Sequence, residues 1–346
     1  MYPARANHGI VRVLVTGGTG FIGSHATAAL QQAGHEVRLL ARTPEKVQRV
    51  LAPLGVRASD VVTGDITDRR SVEQAMDGCG AVVHAAAVVA VDRRRAEEVL
   101  ATNEAGTRNV LEAAHAAGAD PIVHLSSVSA LFVPGLSIID ADTPVARADS
   151  AYGQSKAASD LVARALQDQG APVTAVYPGG VIGPHDPNLG PTSRAVVFWL
   201  TAPVPLTEGG MEIVDVRDVA AALVAAMEPG KGPRRLVLGG RMMSMAEIAD
   251  VVEEVSGARV RRFRIPAGVL RGWGRLNDLL MRVVPATFTI TYEGMEYLTK
   301  AVPSDDAPTL EALGLTLRPV RETFEDTIRW LVDEGHVDRA KAPAIA

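Results

Sequence analysis

Short runs of β-branched and apolar residues alternate with longer amphipathic runs through the first half of this 346-residue chain. Ile10–Val15, Glu36–Leu40, Asp60–Thr63, Ala81–His84, Ile122–Leu125 and Val173–Val176 read as strands. Phe21–Ala33, a run opening at Thr43-Pro44-Glu45, Arg69–Met76, Ala96–Ala117 and Ala151–Gln169 read as the helices between them. Thr43 stands at an N-cap position, and Pro44 takes the first helical position, where a missing N–H costs nothing. Strands this apolar leave no solvated face. They predict an α/β fold, a doubly wound parallel sheet with helices on both faces.

After Pro178 the rhythm breaks. Gly179 to Gly210 is rich in Gly and Pro and shows little periodicity. Helical spacing returns over Val214–Met227, and Leu236–Leu238 reads as a strand. Ser244-Met245-Ala246-Glu247 is a capping-box pattern that opens another helix. Further helical runs cover Ala267–Val283, the region around Ile290–Leu298, and Arg321–Asp333. These predict a first domain over 1–178 and a smaller, partly interleaved C-terminal substrate domain over 179–346. Part of 211–240 is expected to return to the first.

Composition narrows the class. Hydrophobic residues make up 47% and charged residues 22%, a globular balance. A net charge of −5 gives no footprint for nucleic acid. The single cysteine, Cys79, excludes an internal disulfide framework and suits a reducing cytoplasm. The N-terminus lacks a signal-peptide h-region. The longest apolar stretch, Ala81–Val91, is too short to span a bilayer, so no integral membrane segment is expected. The His and Cys positions show no metal-ligand spacing, and no metal is expected.

The chemistry begins where the first strand ends. Gly17, Gly20 and Gly23 form G-x-x-G-x-x-G in Gly17-Gly18-Thr19-Gly20-Phe21-Ile22-Gly23. The first glycine permits a tight turn, the second lets backbone approach a pyrophosphate, and the third lets helix pack on strand. Phe21 and Ile22 open the helix whose free N–H groups face the phosphates. With strand before and helix after, the loop predicts a Rossmann-type dinucleotide site. The second strand ends Leu40-Ala41-Arg42, where an NAD site places an acid. Arg42 offers a fork for a 2′-phosphate, with Lys46 as a second cation, so NADP (as NADPH) is favoured over NAD. The alternative is an Arg42 that is merely solvated. Asp65, with Ile66 after the third strand, can accept from an adenine amino group, or can serve an Asx turn.

Tyr152 and Lys156 lie four apart on one helical face. A nearby ammonium favours loss of the phenol proton. Such a phenol serves as general acid or base toward a carbonyl or alcohol oxygen. Ser126 and Ser127 terminate the strand before it.

Together these segments resemble the extended short-chain dehydrogenase/reductase family over roughly residues 10 to 335. Within it the chain looks most similar to the dihydroflavonol-4-reductase and 3β-hydroxysteroid dehydrogenase branch. Arg42 at the cofactor strand, Pro178-Gly179-Gly180-Val181 and the short His185–Ser193 loop carry that likeness. The resemblance implies Ser127 as the catalytic serine and Lys156 on the nicotinamide ribose. It implies Asn103 as the fourth member of a proton relay, although a helix-kinking or capping Asn fits equally. It places Ala85, Ala86 and Ala87 along the cofactor, and Pro178, Gly179 and Val181 near the nicotinamide. Family habit implies a homodimer.

The expected activity is hydride transfer between NADPH and a ketone, aldehyde or secondary alcohol of a small to medium apolar substrate. The rivals are a nucleotide-sugar epimerase or dehydratase and a non-catalytic dinucleotide sensor. Phe132 and His185 are candidate substrate contacts by position. Arg259, Arg261, Arg262, Arg264, Arg271, Arg275 and Arg282 crowd one stretch with Asp278 as its only acid. In the helix beside it, Val269, Leu270, Trp273, Leu276, Leu280 and Val283 share a face. A membrane surface, an acidic substrate, a partner subunit or plain solvent all fit that pattern.

Overall fold

The structure, a computed structural model, describes residues 9–88, 96–148, 151–280 and 292–345. Arg282, Val283 and Ile290, and the end of the Ala81–Val91 stretch, lie outside the described residues. The strands are β1 (Arg12–Thr16), β2 (Glu36–Ala41), β3 (Asp60–Thr63), β4 (Ala81–His84), β5 (Ile122–Leu125), β6 (Val173–Pro178), β7 (Gly180–Ile182), β8 (Val204–Leu206), β9 (Gly210–Asp215), β10 (Arg234–Leu238), β11 (Arg241–Ser244) and β12 (Arg262–Arg264). The helices are α1 (Phe21–Gln32), α2 (Pro44–Leu51), α3 (Arg69–Met76), α4 (Ala96–Ala116), α5 (Ala151–Asp168), α6 (Pro191–Thr201), α7 (Val216–Ala225), α8 (Met245–Ser256), α9 (Ala267–Leu280), α10 (Tyr292–Lys300), α11 (Ala307–Leu313) and α12 (Val320–Asp333).

Seven strands form one parallel sheet in the order β10-β6-β5-β4-β1-β2-β3. Both faces are buried, as the apolar strands require. On one face Val13, Val15 and Val83 pack with Leu30 of α1, Leu51 of α2, and Val219 and Leu223 of α7. On the other, Leu14, Val82 and Ile122 pack with Val72 of α3, Val110 and Leu111 of α4, and Ala163 of α5. The winding reverses at β1, between β2 and β4, and a crevice opens there at the carboxyl ends of the strands.

The chain leaves this layer after β6 and comes back. β10 pairs with β6, with Leu236 opposite Val176, and α7 lies in the same core as α1. Leu310 and Leu313 of α11, with Leu315 and Leu317 beyond it, also pack against that core. The smaller lobe is built from the β11-β9-β7 sheet, the β12-β8 pair, and α6, α8 and α12. Its interior holds Trp199, Ile248, Phe324 and Leu331.

Thr43 stands at the N-cap of α2 with Pro44 opening the helix, as expected, although its hydroxyl makes no capping hydrogen bond. The other local expectations need three corrections. The stretch from Gly179 to Gly210 contains β7, α6 and β8. The helix expected from Val214 begins only at Val216, because Asp215 still belongs to β9 and caps α7 through the Arg217 N–H (2.8 Å). On α9, Leu270 turns inward while Val269, Trp273 and Leu276 stay exposed, so they do not share one buried face. The Ser244 capping box is formed, with the Glu247 N–H donating to Ser244 Oγ (3.2 Å) and the Ser244 N–H to Glu247 Oε2 (2.8 Å).

Leu14 sits fully buried in the central strand. Leu14→Ala is expected to cost about 2–5 kcal/mol in urea unfolding, a loss of transfer energy plus a residual cavity.

Candidate active site

The glycine loop meets the turn after β4 at van der Waals limits. Gly17 has φ +77°, and a Cβ there would stand 2.6 Å from the Ala85 carbonyl carbon and the Ala86 nitrogen. A Cβ on Gly23 would collide with the Gly17 carbonyl. The Ala85 N–H donates to the Thr16 carbonyl (3.1 Å), which locks the two strand ends together. No side chain caps α1, so its first N–H groups stay available to an anion. Phe21 and Ile22 are half-buried at this helix start. The loop is thus a cradle that only glycine permits, and it fits the pyrophosphate of a dinucleotide.

After β3, Asp65 makes two kinds of contact. The Thr67 N–H and hydroxyl both donate to Asp65 Oδ1 (2.9 and 2.8 Å), an Asx turn. Its Oδ2 lies 4.0 Å from the Arg42 guanidinium. Arg42 is 72% exposed, and Lys46 is exposed one turn into α2. Ile66 packs against Gly106 of α4, and Asn109 Nδ2 donates to the Ile66 and Thr67 carbonyls (2.9 and 3.2 Å). Asn109 therefore pins the turn that presents Asp65. Its place in an expected helix had not marked it for this task.

Tyr152 and Lys156 occupy the first turns of α5, which packs on the short turn after Ser127. Lys156 Nζ reaches the Leu125 carbonyl at the end of β5 (3.4 Å). Desolvation lowers its ammonium to about 8, and Asp160 one turn on partly opposes that. Asp160 is fully buried; it accepts from Arg164 Nε (3.0 Å) and the Tyr177 hydroxyl (3.1 Å). The stripe Tyr152, Lys156, Asp160, Arg164 repeats every fourth residue, a signal the sequence carried beyond its first pair. Ser127 is 9% exposed, and its Oγ accepts from the Ser129 N–H (3.2 Å) and hydroxyl (2.9 Å). These bonds point its oxygen but leave its own proton to donate.

Beneath Lys156, His84 and His124 stack with ring centroids 5.6 Å apart. Burial first, and the Lys156 charge second, hold His84 down to about 3; burial, with His84 and Lys156, pushes His124 down as well. The pair is therefore neutral. Thr16 Oγ and Thr107 Oγ bond the two nitrogens of His84 (2.7 and 3.1 Å). Asn103 is buried and bonds at both ends of its amide. Its Oδ1 accepts from the Val88 N–H (2.8 Å), and its Nδ2 donates to the Val88 carbonyl (2.9 Å) and Ser155 Oγ (2.7 Å). It ties the backbone that follows Ala85-Ala86-Ala87 to Ser155 of α5.

The opposite wall comes from residues the sequence reading missed. Tyr297 of α10 packs on Phe132 with centroids 5.1 Å apart. Burial first, then Glu212 and Tyr152, push its phenol upward. Glu212, 1% exposed on β9, lies under Gly179 and Gly239, where a Cβ would meet it. It accepts from the Ser304 N–H (2.6 Å) and hydroxyl (2.9 Å). Burial raises its carboxyl to about 7, while Ser304 opposes the shift and Asp306 adds to it. Pro178 ends β6, the Gly179 N–H donates to the Leu238 carbonyl (3.2 Å), and Val181 is buried in the core, so this segment offers backbone rather than side chains. His185 stands elsewhere. Its ring contacts Trp330 (6.4 Å), and its charged neighbours are Glu334 and Arg217. It is a packing residue, not part of the Tyr152 group.

The profile of the NAD dependent epimerase/dehydratase family matches residues 13–239. The chain belongs to that family. It is an NAD(P)-dependent oxidoreductase of the extended short-chain dehydrogenase/reductase kind, acting on CH–OH or C=O groups. A putative dihydroflavonol 4-reductase from Synechocystis is 28% identical over 334 residues, 93% of this chain and 95% of that protein. Sterol demethylase protein B from Methylococcus capsulatus is 29% identical over 334 residues, 94% and 99% of the two chains. The crystal structure of a UDP-glucose-4-epimerase from Stenotrophomonas maltophila with bound NAD superposes with TM-score 0.75 at 22% identity, covering 94% and 99%, and shares the fold. Among the described residues no group of His, Cys, Asp or Glu is placed to hold a metal.

The Glu212 carboxyl has its folded-state value raised from 4.5 to about 7. The stability it contributes is complete below about 4.5 and is lost as pH rises through about 7. In Glu212→Gln the fall in Tm across that interval is expected to be shallower than in the wild type. An unchanged slope in calorimetric scans counts against this assignment.

Proposed function

We propose that this protein is an NADP-dependent carbonyl reductase, reversible as an alcohol dehydrogenase, for small to medium apolar substrates. The observation that carries the reading is the Lys156 ammonium, held in a desolvated niche one turn from Tyr152 and beside the Ser127 strand end. The bound cofactor supplies the hydride; the protein supplies position, charge and the proton. Ser127 donates to the substrate oxygen and steadies the developing alkoxide. Tyr152 delivers the proton, and Lys156 stabilises the phenolate left behind.

Gly17, Gly20 and Gly23 would seat the pyrophosphate, Asp65 and Ile66 the adenine, and Ala85 to Ala87 and Gly179 the nicotinamide half. Arg42 and Lys46 would hold a 2′-phosphate. Arg42 is so exposed that its weak tie to Asp65 does not satisfy it. An apolar substrate suits the Phe132–Tyr297 wall. The loop beyond Phe132 exposes Val133, Leu136 and Ile138 at 40%, 38% and 43%, an apolar entrance rather than a sugar-binding one. The names of the dihydroflavonol reductase and sterol demethylase relatives agree with such substrates. Buried Cys79, a free thiol, fits a reducing cytoplasm.

NADPH oxidation followed across ketosteroids, flavonoid ketones and simple aldehydes tests the reading. Steady consumption supports it; conversion of a nucleotide sugar without net cofactor turnover contradicts it. Tyr152→Phe is expected to lower kcat by about 10²–10⁴-fold while cofactor affinity stays near wild type. Full rate in that variant removes Tyr152 from the chemistry. Arg42→Ser should raise the KM for NADPH by roughly tenfold or more and leave that for NADH little changed, the signature of a lost charge-assisted bond to phosphate. Equal effects on both cofactors would reassign Arg42 to the solvated surface.

A further inference from the structure

The outer stripe of α9 is unused by the proposed reaction. Val269, Trp273 and Leu276 follow helical spacing along it and are 47%, 64% and 55% exposed. Leu270 and Gly274 face the protein instead. The strand leading into α9 exposes Phe263 at 44%. Beside this apolar stripe the charge is mainly positive, with Asp278 the only acid between residues 259 and 282. Arg259, Arg261 and Arg264 are exposed and form no ion pair with any described residue. Arg262 differs, being held by Asp250 (2.5 Å) and Glu253 (3.2 Å). The basic area is local, because the whole chain carries −5.

We propose that α9 docks the protein on an anionic membrane surface. Trp273, Val269 and Leu276 enter the boundary between headgroups and acyl chains, and Arg259, Arg261 and Arg264 meet the phosphates. Three arguments select a lipid surface. An anionic bilayer offers an apolar layer directly beneath negative charge, the same pairing that this face presents in reverse. An exposed tryptophan flanked by arginines is the composition that settles at headgroup level. A second copy meeting this face across a twofold axis would set arginine against arginine. No helix among the described residues is long and apolar enough to cross a membrane, so the contact is with the surface. The docked face is continuous with the crevice. α9 packs on α10, Arg271 donates to Thr299 Oγ (3.0 Å), and α10 carries Tyr297. Docking sets the aromatic wall beside the phase in which apolar ketones dissolve; this last point rests on the proposed function, whereas the binding does not.

The test is flotation of the full chain with vesicles of phosphatidylcholine alone and of phosphatidylcholine mixed with phosphatidylglycerol. Binding is expected to the mixed vesicles and to weaken in high salt. The emission of Trp273 should shift to the blue, since Trp199 and Trp330 are already buried at 4% and 8% exposure. The double variant Trp273→Ser/Leu276→Ser should lose about tenfold or more in vesicle affinity. Arg261→Ser/Arg264→Ser should lose roughly fivefold per charge on mixed vesicles only. Both should keep wild-type NADPH oxidation with a water-soluble carbonyl, the check that they fold. Absence of binding to mixed vesicles overturns the proposal, as does binding that survives loss of Trp273 and Leu276. A solution dimer abolished by Trp273→Ser, without vesicle binding, assigns the face to a second copy and overturns it too. Vesicle binding by a protein that reduces no carbonyl refutes the proposed function and leaves the docking surface standing.

Discussion

A positive charge is placed where water is scarce, and the rest of the crevice answers to that placement. The Lys156 ammonium has the Leu125 carbonyl for a contact and Asp160 as the nearest opposing charge, one helical turn deeper. Lowered only to about 8, it remains charged at neutral pH. Asp160 performs this service because Arg164 and Tyr177 hold it in turn. The neutral histidine pair below adds bulk without adding a competing cation. Together these neighbours keep Lys156 charged one turn from Tyr152, where an ionising phenol would profit from it.

The glycine cradle and the charge are coupled through backbone. The β1 and β4 ends are bonded by Thr16 and Ala85, Asn103 ties the following turn to α5, and α5 carries Tyr152 and Lys156. A dinucleotide held at Gly17, as proposed, would be registered against the phenol through three hydrogen-bonded steps. Such short, buried linkages hold geometry better than loop contacts do.

What the sequence revealed follows from locality. The glycine loop, the Tyr/Lys pair and the Ser-Ser strand end each lie within a few residues, so spacing alone exposes them. The parallel sheet was legible because its strands are apolar on both faces. Tyr297 and Glu212 were not, since their meaning depends on α10 and β9 being folded over the crevice. Glu212 in Met211-Glu212-Ile213 looks like the solvated side of an alternating strand, yet it is among the most buried carboxyls of the chain. β7, β8 and β12 are three residues each, too short to show a period of two. Asp160 and Arg164 were readable, because they only extend the fourfold spacing that begins at Tyr152.

The central claim is electrostatic, and a direct titration tests it. The ultraviolet difference titration of wild type minus Tyr152→Phe isolates one phenol. The account predicts ionisation well below the value of about 10 for free tyrosine, returning upward when Lys156 is replaced by Met. A Tyr152 phenol that ionises at or above about 10 with Lys156 intact would contradict it.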